Sequence, residues 1–380
     1  IRNPFREETH FLNNSSRLTF PKMAALGLGW FGILFFWAFY TGAMPLFLNG
    51  FTDSKFVISV ILMLAGISGC VVPPIVGYLS DRTRTRYGRR RPYIFAGMAG
   101  MFICFVCLPH IQILPVVIVV SAFLYFFVDT AHTPYMSLLP DITPPAQRGM
   151  ASGVMSFFGN MGLIGCFFLS SRLWEEYRTS LFYAVAVVST GCAFVAISML
   201  REPQIATPPT PAKLNLLAYV FSVVKEKNAM KFFIAQFFWW LGFWVIQSFL
   251  TLFMVEHLGA SEGNAFLAPL TATVVQTCFV LPLGILGDRM NRRNLLLCAV
   301  MVWAAVELSI GFSRSFAQAL WFVGALGIPL AAVTGIGYAL MFDLLPAERT
   351  AEFVGIGVIS MAAPQIFGPL IGGTLIDLFG

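Results

Sequence analysis

Long apolar runs, broken by short polar stretches, set the organisation of this chain. Eleven of them approach or exceed the roughly 20 residues needed to cross a bilayer as a helix. They predict spans at Lys22–Leu48, Phe56–Leu79, Pro92–Leu108, Ile113–Leu139, Gly149–Ser171 and Thr179–Leu200. After a break they resume at Ala229–Val255, Asn264–Leu286, Asn294–Phe312, Phe316–Phe342 and Phe353–Leu378. The break, Arg201–Asn228, is the longest linker and contains Pro203, Pro208, Pro209 and Pro211. Its Lys-containing second part is expected to lie as a helix on the membrane surface. The expected domains are therefore 1–200, a first six-helix bundle, then the linker 201–228, then 229–380 with spans 7–11.

Composition agrees with a polytopic all-α membrane protein. The chain is 58% hydrophobic and 11% charged, against about 25% charged in soluble domains. The net charge of +6 raises the question of a nucleic-acid partner, but its placement argues otherwise, because the basic residues sit in loops between spans. Between spans 2 and 3, Arg82, Arg84, Arg86, Arg89, Arg90 and Arg91 stand almost together. Such loops stay on the cytoplasmic side. With the N-terminus placed inside, 20 of the 24 Lys and Arg fall on the inner face; Lys55, Arg172, Arg178 and Arg314 fall outside. The first 21 residues are polar and lack the apolar core of a cleavable signal. The expected location is a plasma or bacterial inner membrane.

The chain also repeats itself. Gly77-Tyr-Leu-Ser-Asp81-Arg82 returns as Gly284-Ile-Leu-Gly-Asp288-Arg289, and Pro140-Asp141 with Gln147-Arg148 is echoed by Asp343-Leu-Leu-Pro346-Ala-Glu348-Arg349. Two halves in the same orientation imply a parallel six-plus-six architecture. Eleven spans are visible, so a twelfth is expected beyond Gly380.

With its Gly-x-x-x-Asp-Arg motif in both halves, the chain resembles the major facilitator superfamily. The first copy is extended: five residues, four more than in the general motif, separate Asp81-Arg82 from Gly88-Arg89-Arg90-Arg91-Pro92. This form resembles the sucrose-transporter-like branch and the related glycoside–pentoside–hexuronide cation symporters. So does Thr133-Pro134-Tyr135 with Leu138-Leu139-Pro140-Asp141 and Arg148-Gly149. The resemblance implies the major facilitator fold, two six-helix bundles rocking about a central site, and a gate built from the motif. The expected gate comprises Asp81, Arg82, Gly88, Arg89, Arg90, Asp141, Arg148, Asp288 and Arg289. Asp81, where a span ends, is placed to cap a helix N-terminus or hold an Arg of the opposite half. Asp141 with Arg148, and Asp288 with Arg289, are candidates for the same task. The alternative is that the arginines only set topology and meet anionic lipid.

Within the spans, apart from Asp377 at the very end of span 11, only Asp129, His132 and Glu307 are ionisable in the acid-to-neutral range. Such groups are costly in hydrocarbon and usually have a task. Asp129 and His132 lie three apart on span 4 and share a helical face, and the resembled fold turns span 4 to the cavity. They are the expected proton-coupling pair: a carboxylate that takes up a proton and an imidazole that relays it or bonds cargo. Asp129 could instead be a satisfied structural carboxylate, bonded to His132 or to a neighbouring span. The resembled branch often places its acid one turn earlier, where this chain has Tyr125. Span 2 carries no acid of the kind that binds sodium in melibiose-permease-like members. Protons are therefore the expected coupling ion. Glu307, near Arg314, is expected to bond locally.

Sugars require flat apolar faces and side-chain amides or hydroxyls. The candidates are Trp37, Tyr40, Tyr125, Asn160, Gln236, Trp240, Gln247 and Gln365, with Trp30, Trp244 and Gln276 beside them. Positions 236, 240, 244 and 247 fall on one stripe of span 7. Membrane aromatics at helical spacing also serve packing and interfacial belts. The seven cysteines all lie in apolar runs. They point to neither disulfides nor a metal, and Cys104-x-x-Cys107 reads as packing. There is no nucleotide-binding loop and no catalytic constellation, so the chain is not expected to be an enzyme or to need a cofactor. The expected function is proton-coupled symport of a small glycoside such as sucrose or maltose, for which a monomer suffices. The alternatives are an amphipathic cargo (a lysolipid or drug) or a non-transporting sensor or assembly protein on the same scaffold.

Overall fold

The computed structural model describes residues 18–144, 147–200, 202, 227–344 and 359–379, apart from the side chains of Asp288, Tyr338, Ala339, Phe342 and Asp343. Among them, eleven helices are long and apolar enough to cross a membrane. In the first half they are Phe20–Asn49, Lys55–Arg82, Arg91–His110, Leu114–Ile142, Arg148–Leu173 and Arg178–Met199, here spans 1–6. In the second half, spans 7–11 are Lys227–Glu256, Glu262–Gly287, Arg292–Gly311, Phe316–Gly337 and Ile359–Phe379. Most of the linker, with its expected surface helix, and the start expected for span 11 lie outside the described residues. So does the expected twelfth span.

Local sequence explains where the helices begin. Pro stands in the first turn of spans 1, 3 and 4, where its missing N–H costs nothing. Ser54, Ser261 and Asn291 cap helix N-termini through their side chains. Span 7 is not one rod. It runs to Gln247, breaks at Ser248 and Phe249, and resumes as Leu250–Glu256. Lipid-facing positions carry large apolar side chains, among them Phe123, Phe126, Leu281 and Trp321, all at least 46% exposed.

Helix neighbours repeat between halves. Span 1 packs on span 5 as span 7 packs on span 11. Span 2 packs on span 4, and span 3 on span 4, as span 8 packs on span 10 and span 9 on span 10. The halves meet through span 2 against span 11 and span 5 against span 8. The six-span repeat turns each of these two pairs into the other, so the halves face each other across a pseudo-two-fold axis. In the first half, span 6 packs on spans 1 and 3. The equivalent flank of spans 7 and 9 borders an open cleft of about 810 Å³, lined by Phe232, Trp239, Arg293 and Glu307 among others. There Glu307 accepts a hydrogen bond from Trp303 Nε1 at 2.6 Å, one turn away on its own helix.

Candidate functional site

Between the halves lies a cavity of about 390 Å³, within the roughly 300–1,000 Å³ of small-molecule sites. Spans 1, 4 and 5 line it from the first half and spans 7, 8, 10 and 11 from the second. Its walls are apolar, with the aromatic rings of Trp30, Trp37, Phe167, Trp240, Phe243 and Trp244 beside aliphatic side chains such as Leu34, Leu163, Val323 and Leu330. Its polar groups are Thr41, His132, Gln247, Thr273, Gln276 and Gln365. No Asp, Glu, Lys or Arg is among the lining residues.

Four of the eight expected cargo residues, Trp37, Trp240, Gln247 and Gln365, line this cavity. The other four are not among its lining residues. Tyr40 is buried behind Trp37 (ring centroids 5.3 Å apart) and donates from its hydroxyl to the Leu62 carbonyl at 2.9 Å. Tyr125 packs edge-on against Tyr40 at 5.4 Å, its hydroxyl buried without a partner among the described residues. Asn160 is half-buried on span 5. Gln236 is buried, and its Oε1 accepts from Ser360 Oγ of span 11 at 3.0 Å. The stripe along span 7 thus divides: Gln236 is bonded to span 11, and Trp240, Trp244 and Gln247 reach the cavity. Thr41, Thr273, Phe167 and Phe243 are additional lining residues. Thr41 was within reach of sequence reasoning, one turn beyond Trp37 on the same face.

Asp129 and His132 share span 4 but have different surroundings. His132 lines the cavity, stacked on Trp30 (centroids 5.3 Å, planes 16° apart) and edge-on to Trp37 at 6.5 Å. Asp129 is 3% exposed and accepts a hydrogen bond from Ser68 Oγ of span 2 at 2.6 Å. The carboxyl is thus tied to a neighbouring span behind the cavity wall.

The arginine-rich face carries a charge cluster. Arg90, 6% exposed, reaches Asp81 at 2.6 Å, Asp141 at 3.1 Å and Ser80 Oγ at 2.6 Å. Arg89 pairs with Asp141 at 2.6 Å and approaches Asp81 at 3.8 Å. Asp141 is therefore held by Arg89 and Arg90, whereas Arg148 donates to the Pro140 carbonyl at 3.3 Å. That corrects the expected Asp141–Arg148 pair: Arg148 begins the next helix, while the arginine loop folds under span 4. These partners of Asp81 belong to its own half. Arg82 lies over the Tyr78 ring at 3.5 Å. Arg289 is exposed, and the Asp288 side chain lies outside the described set. The carboxylate that caps the start of span 3 is not Asp81 but Glu202. It accepts from the backbone N–H groups of Arg89 (2.7 Å), Arg90 (3.0 Å) and Arg91 (2.9 Å), where the helix end favours an anion. Gly88 makes room for it. Its φ is +113°, and a Cβ there would lie 2.7 Å from the Glu202 carboxyl carbon.

The opposite face is closed across the two halves. Asp377, at the end of span 11, accepts from Ser54 Oγ (2.8 Å) and from the Lys55 and Phe56 N–H groups (both 2.9 Å) at the start of span 2. Glu175, after span 5, accepts from Gly263 N–H at 3.0 Å at the start of span 8. The Ser261 hydroxyl and that N–H hold the Glu175 carboxyl below its ordinary range. The two contacts are equivalents under the repeat. Lys55 with Glu256 (2.6 Å) and Arg178 with Glu262 (2.7 Å) add ion pairs between the halves.

Comparison with known proteins places this architecture. A protein-family profile described as Major Facilitator Superfamily matches residues 26–277 and 232–380. The sucrose transport protein SUC4 of Arabidopsis thaliana is 23% identical, covering 92% of this chain and 83% of its own length. A probable nitrate transporter, NarT, of Staphylococcus aureus is also 23% identical, covering 90% and 85%. Among solved structures, a mutant of the nucleoside transporter NupG superposes with a TM-score of 0.77 at 13% identity, covering 94% of this chain and 92% of its own. The repeated halves, the facing span pairs and the matched profile agree: this chain belongs to the major facilitator superfamily.

Proposed function

We propose that this multi-pass membrane transporter carries a small neutral glycoside, of disaccharide size or below, together with protons, by alternating access about the central cavity. The observation that carries the reading is the cavity's lining: aromatic faces, three amides, two threonines and one histidine, with no charged side chain. Indole faces stack on the apolar face of a pyranose, and amides both donate to and accept from its hydroxyls. A buried anion would require a compensating cation. This argues for a neutral cargo like that named for the sucrose transport relative, and against one like that named for the nitrate relative. The arginine-rich face is read as cytoplasmic by its charge. With the opposite face closed, the arrangement is read as one not open to the outside.

Asp129 is the proposed proton carrier, and His132 a cargo-facing group that hydrogen-bonds sugar. The charge cluster around Arg90 is the proposed gate support on the cytoplasmic side.

The test is equilibrium binding to purified protein. Quenching of tryptophan fluorescence by sucrose or maltose, weakened at least tenfold in Gln365→Ala and Trp37→Ala, is the expected result. Binding of nitrate but of neither disaccharide would overturn the reading. Binding of lysolipid alone would replace it with an amphipathic cargo.

A further inference from the structure

Asp129 lies behind the cavity wall, so its protonation must reach the cargo site through an intermediary. The structure has one in place. Ser68 Oγ donates to Asp129 Oδ2 at 2.6 Å, joining span 4 to span 2. Two residues earlier, Gly66 marks a close crossing between the two halves. A Cβ at Gly66 would lie 2.8 Å from the carbonyl carbon of Gln365 and 2.8 Å from the backbone nitrogen of Ile366. Gln365 itself lines the cavity. Carboxyl, hydroxyl, inter-half crossing and cargo amide therefore follow one another along spans 4, 2 and 11.

The surroundings of Asp129 leave little else to play this part. Span 1 brings Tyr40 near it, and span 2 brings Cys70. The Tyr40 hydroxyl is committed to the Leu62 carbonyl. Span 3 meets span 4 through Gly97 and Gly100, packed on Ala131 and Phe127. Span 5 carries no ionisable side chain between its terminal arginines except Cys166, whose Sγ lies 3.9 Å from Ser170 Oγ. On span 4 itself, His132 faces the cavity and Tyr125 packs on Tyr40.

We propose, resting on the reading of Asp129 as proton carrier, that Ser68 is a positioning residue for coupling: its hydroxyl ties the state of the Asp129 carboxyl to span 2 and so to the Gly66–Gln365 crossing. A charged carboxylate only accepts, so Ser68 must donate. Once the carboxyl carries a proton it can donate, and Ser68 is free to accept or to turn to its own helix backbone. The two proton states thus impose different bonding on span 2 at the place where it touches the other half.

The experiment follows the carboxyl directly, with no cargo present. Infrared spectra of the reconstituted full-length protein are titrated with pH, and the protonated-carboxyl band of Asp129 is assigned by its loss in Asp129→Asn. Removing a donor to the charged form favours the protonated form. Ser68→Ala is therefore expected to move the band's midpoint up by about one pH unit, a tenfold change in proton affinity, and Ser68→Thr to restore it. An unchanged midpoint in Ser68→Ala would overturn the role of Ser68 while leaving Asp129 as carrier. No Asp129-dependent band in the wild type at any pH would remove both. A shift in Ser68→Ala that Ser68→Thr fails to reverse would assign the effect to altered packing and also overturn the proposal.

Discussion

The burial of Arg90 and the left-handed backbone at Gly88 show how single residues hold the arginine-rich loop. Arg90 joins Asp81, Asp141 and Ser80, and Glu202 closes the start of span 3 through the space that Gly88 leaves. Gly88→Ala meets two penalties at once, the φ of +113° and the Glu202 carboxylate. It should cost about 1–2 kcal/mol or more and lower the melting temperature in detergent. Glu202→Ala should also lower it, and the two changes should fall short of additivity because they act on one contact. Full additivity would mean that Glu202 and Gly88 do not depend on each other. Glu202 lies more than 110 residues from its partners, and no motif announces it. The arginines and Asp81 stand out in the sequence by their density. Which acid meets which arginine is a matter of loop geometry, and so Asp141, a gate candidate together with Arg148, meets Arg89 and Arg90 instead.

Elements were legible where a physical length sets them. Hydrocarbon thickness dictates the length of an apolar run, and ten of the eleven expected spans match helices to within a few residues. Orientation of each helix about its axis was less accessible. Gln236 and Gln247 fall on one stripe, yet span 7 gives Gln236 to Ser360 and Gln247 to the cavity. In a bundle an apolar face is shared by lipid, neighbours and cavity, and residue type alone does not divide them. Asp129 and His132 show the same division within one turn. The latches on the opposite face also arise at helix ends, from Glu175 and Asp377. Glu175→Gln with Asp377→Asn should loosen that face. In a background lacking the exposed Cys107, Cys278 and Cys298, Thr41→Cys should then react several-fold faster with a membrane-impermeant maleimide added from that side. Unchanged reactivity would show that packing alone closes the face. Acid should act in the same direction. A carboxyl held below its ordinary range contributes at neutral pH, and its contribution is lost as pH falls through the lowered value. The Glu175 latch is therefore expected to survive mild acid and fail only below the usual carboxylate range.

On the scale of the whole molecule, the pseudo-two-fold arrangement makes both faces out of equivalent contacts. Spans 2 and 11 close against each other, as do spans 5 and 8. Rocking one half against the other can open one face while closing the second. Asp81→Asn should cripple flux while leaving membrane insertion and the central cavity intact. Wild-type transport by that variant would confine the cluster to a topological role. Chemistry is unequally shared between the halves: the buried carboxyl and the histidine belong to the first half, and the cavity amides to the second. The proton is therefore expected to be read by the first half alone and the cargo by both, with the amide contacts supplied by the second. Uptake of radiolabelled sucrose and maltose into proteoliposomes, with and without an inward proton gradient, for wild type and Asp129→Asn, tests this most directly. The account predicts gradient-driven accumulation in the wild type, abolished by Asp129→Asn, with sugar exchange retained by the variant. Equal gradient-driven accumulation in both proteins would contradict it.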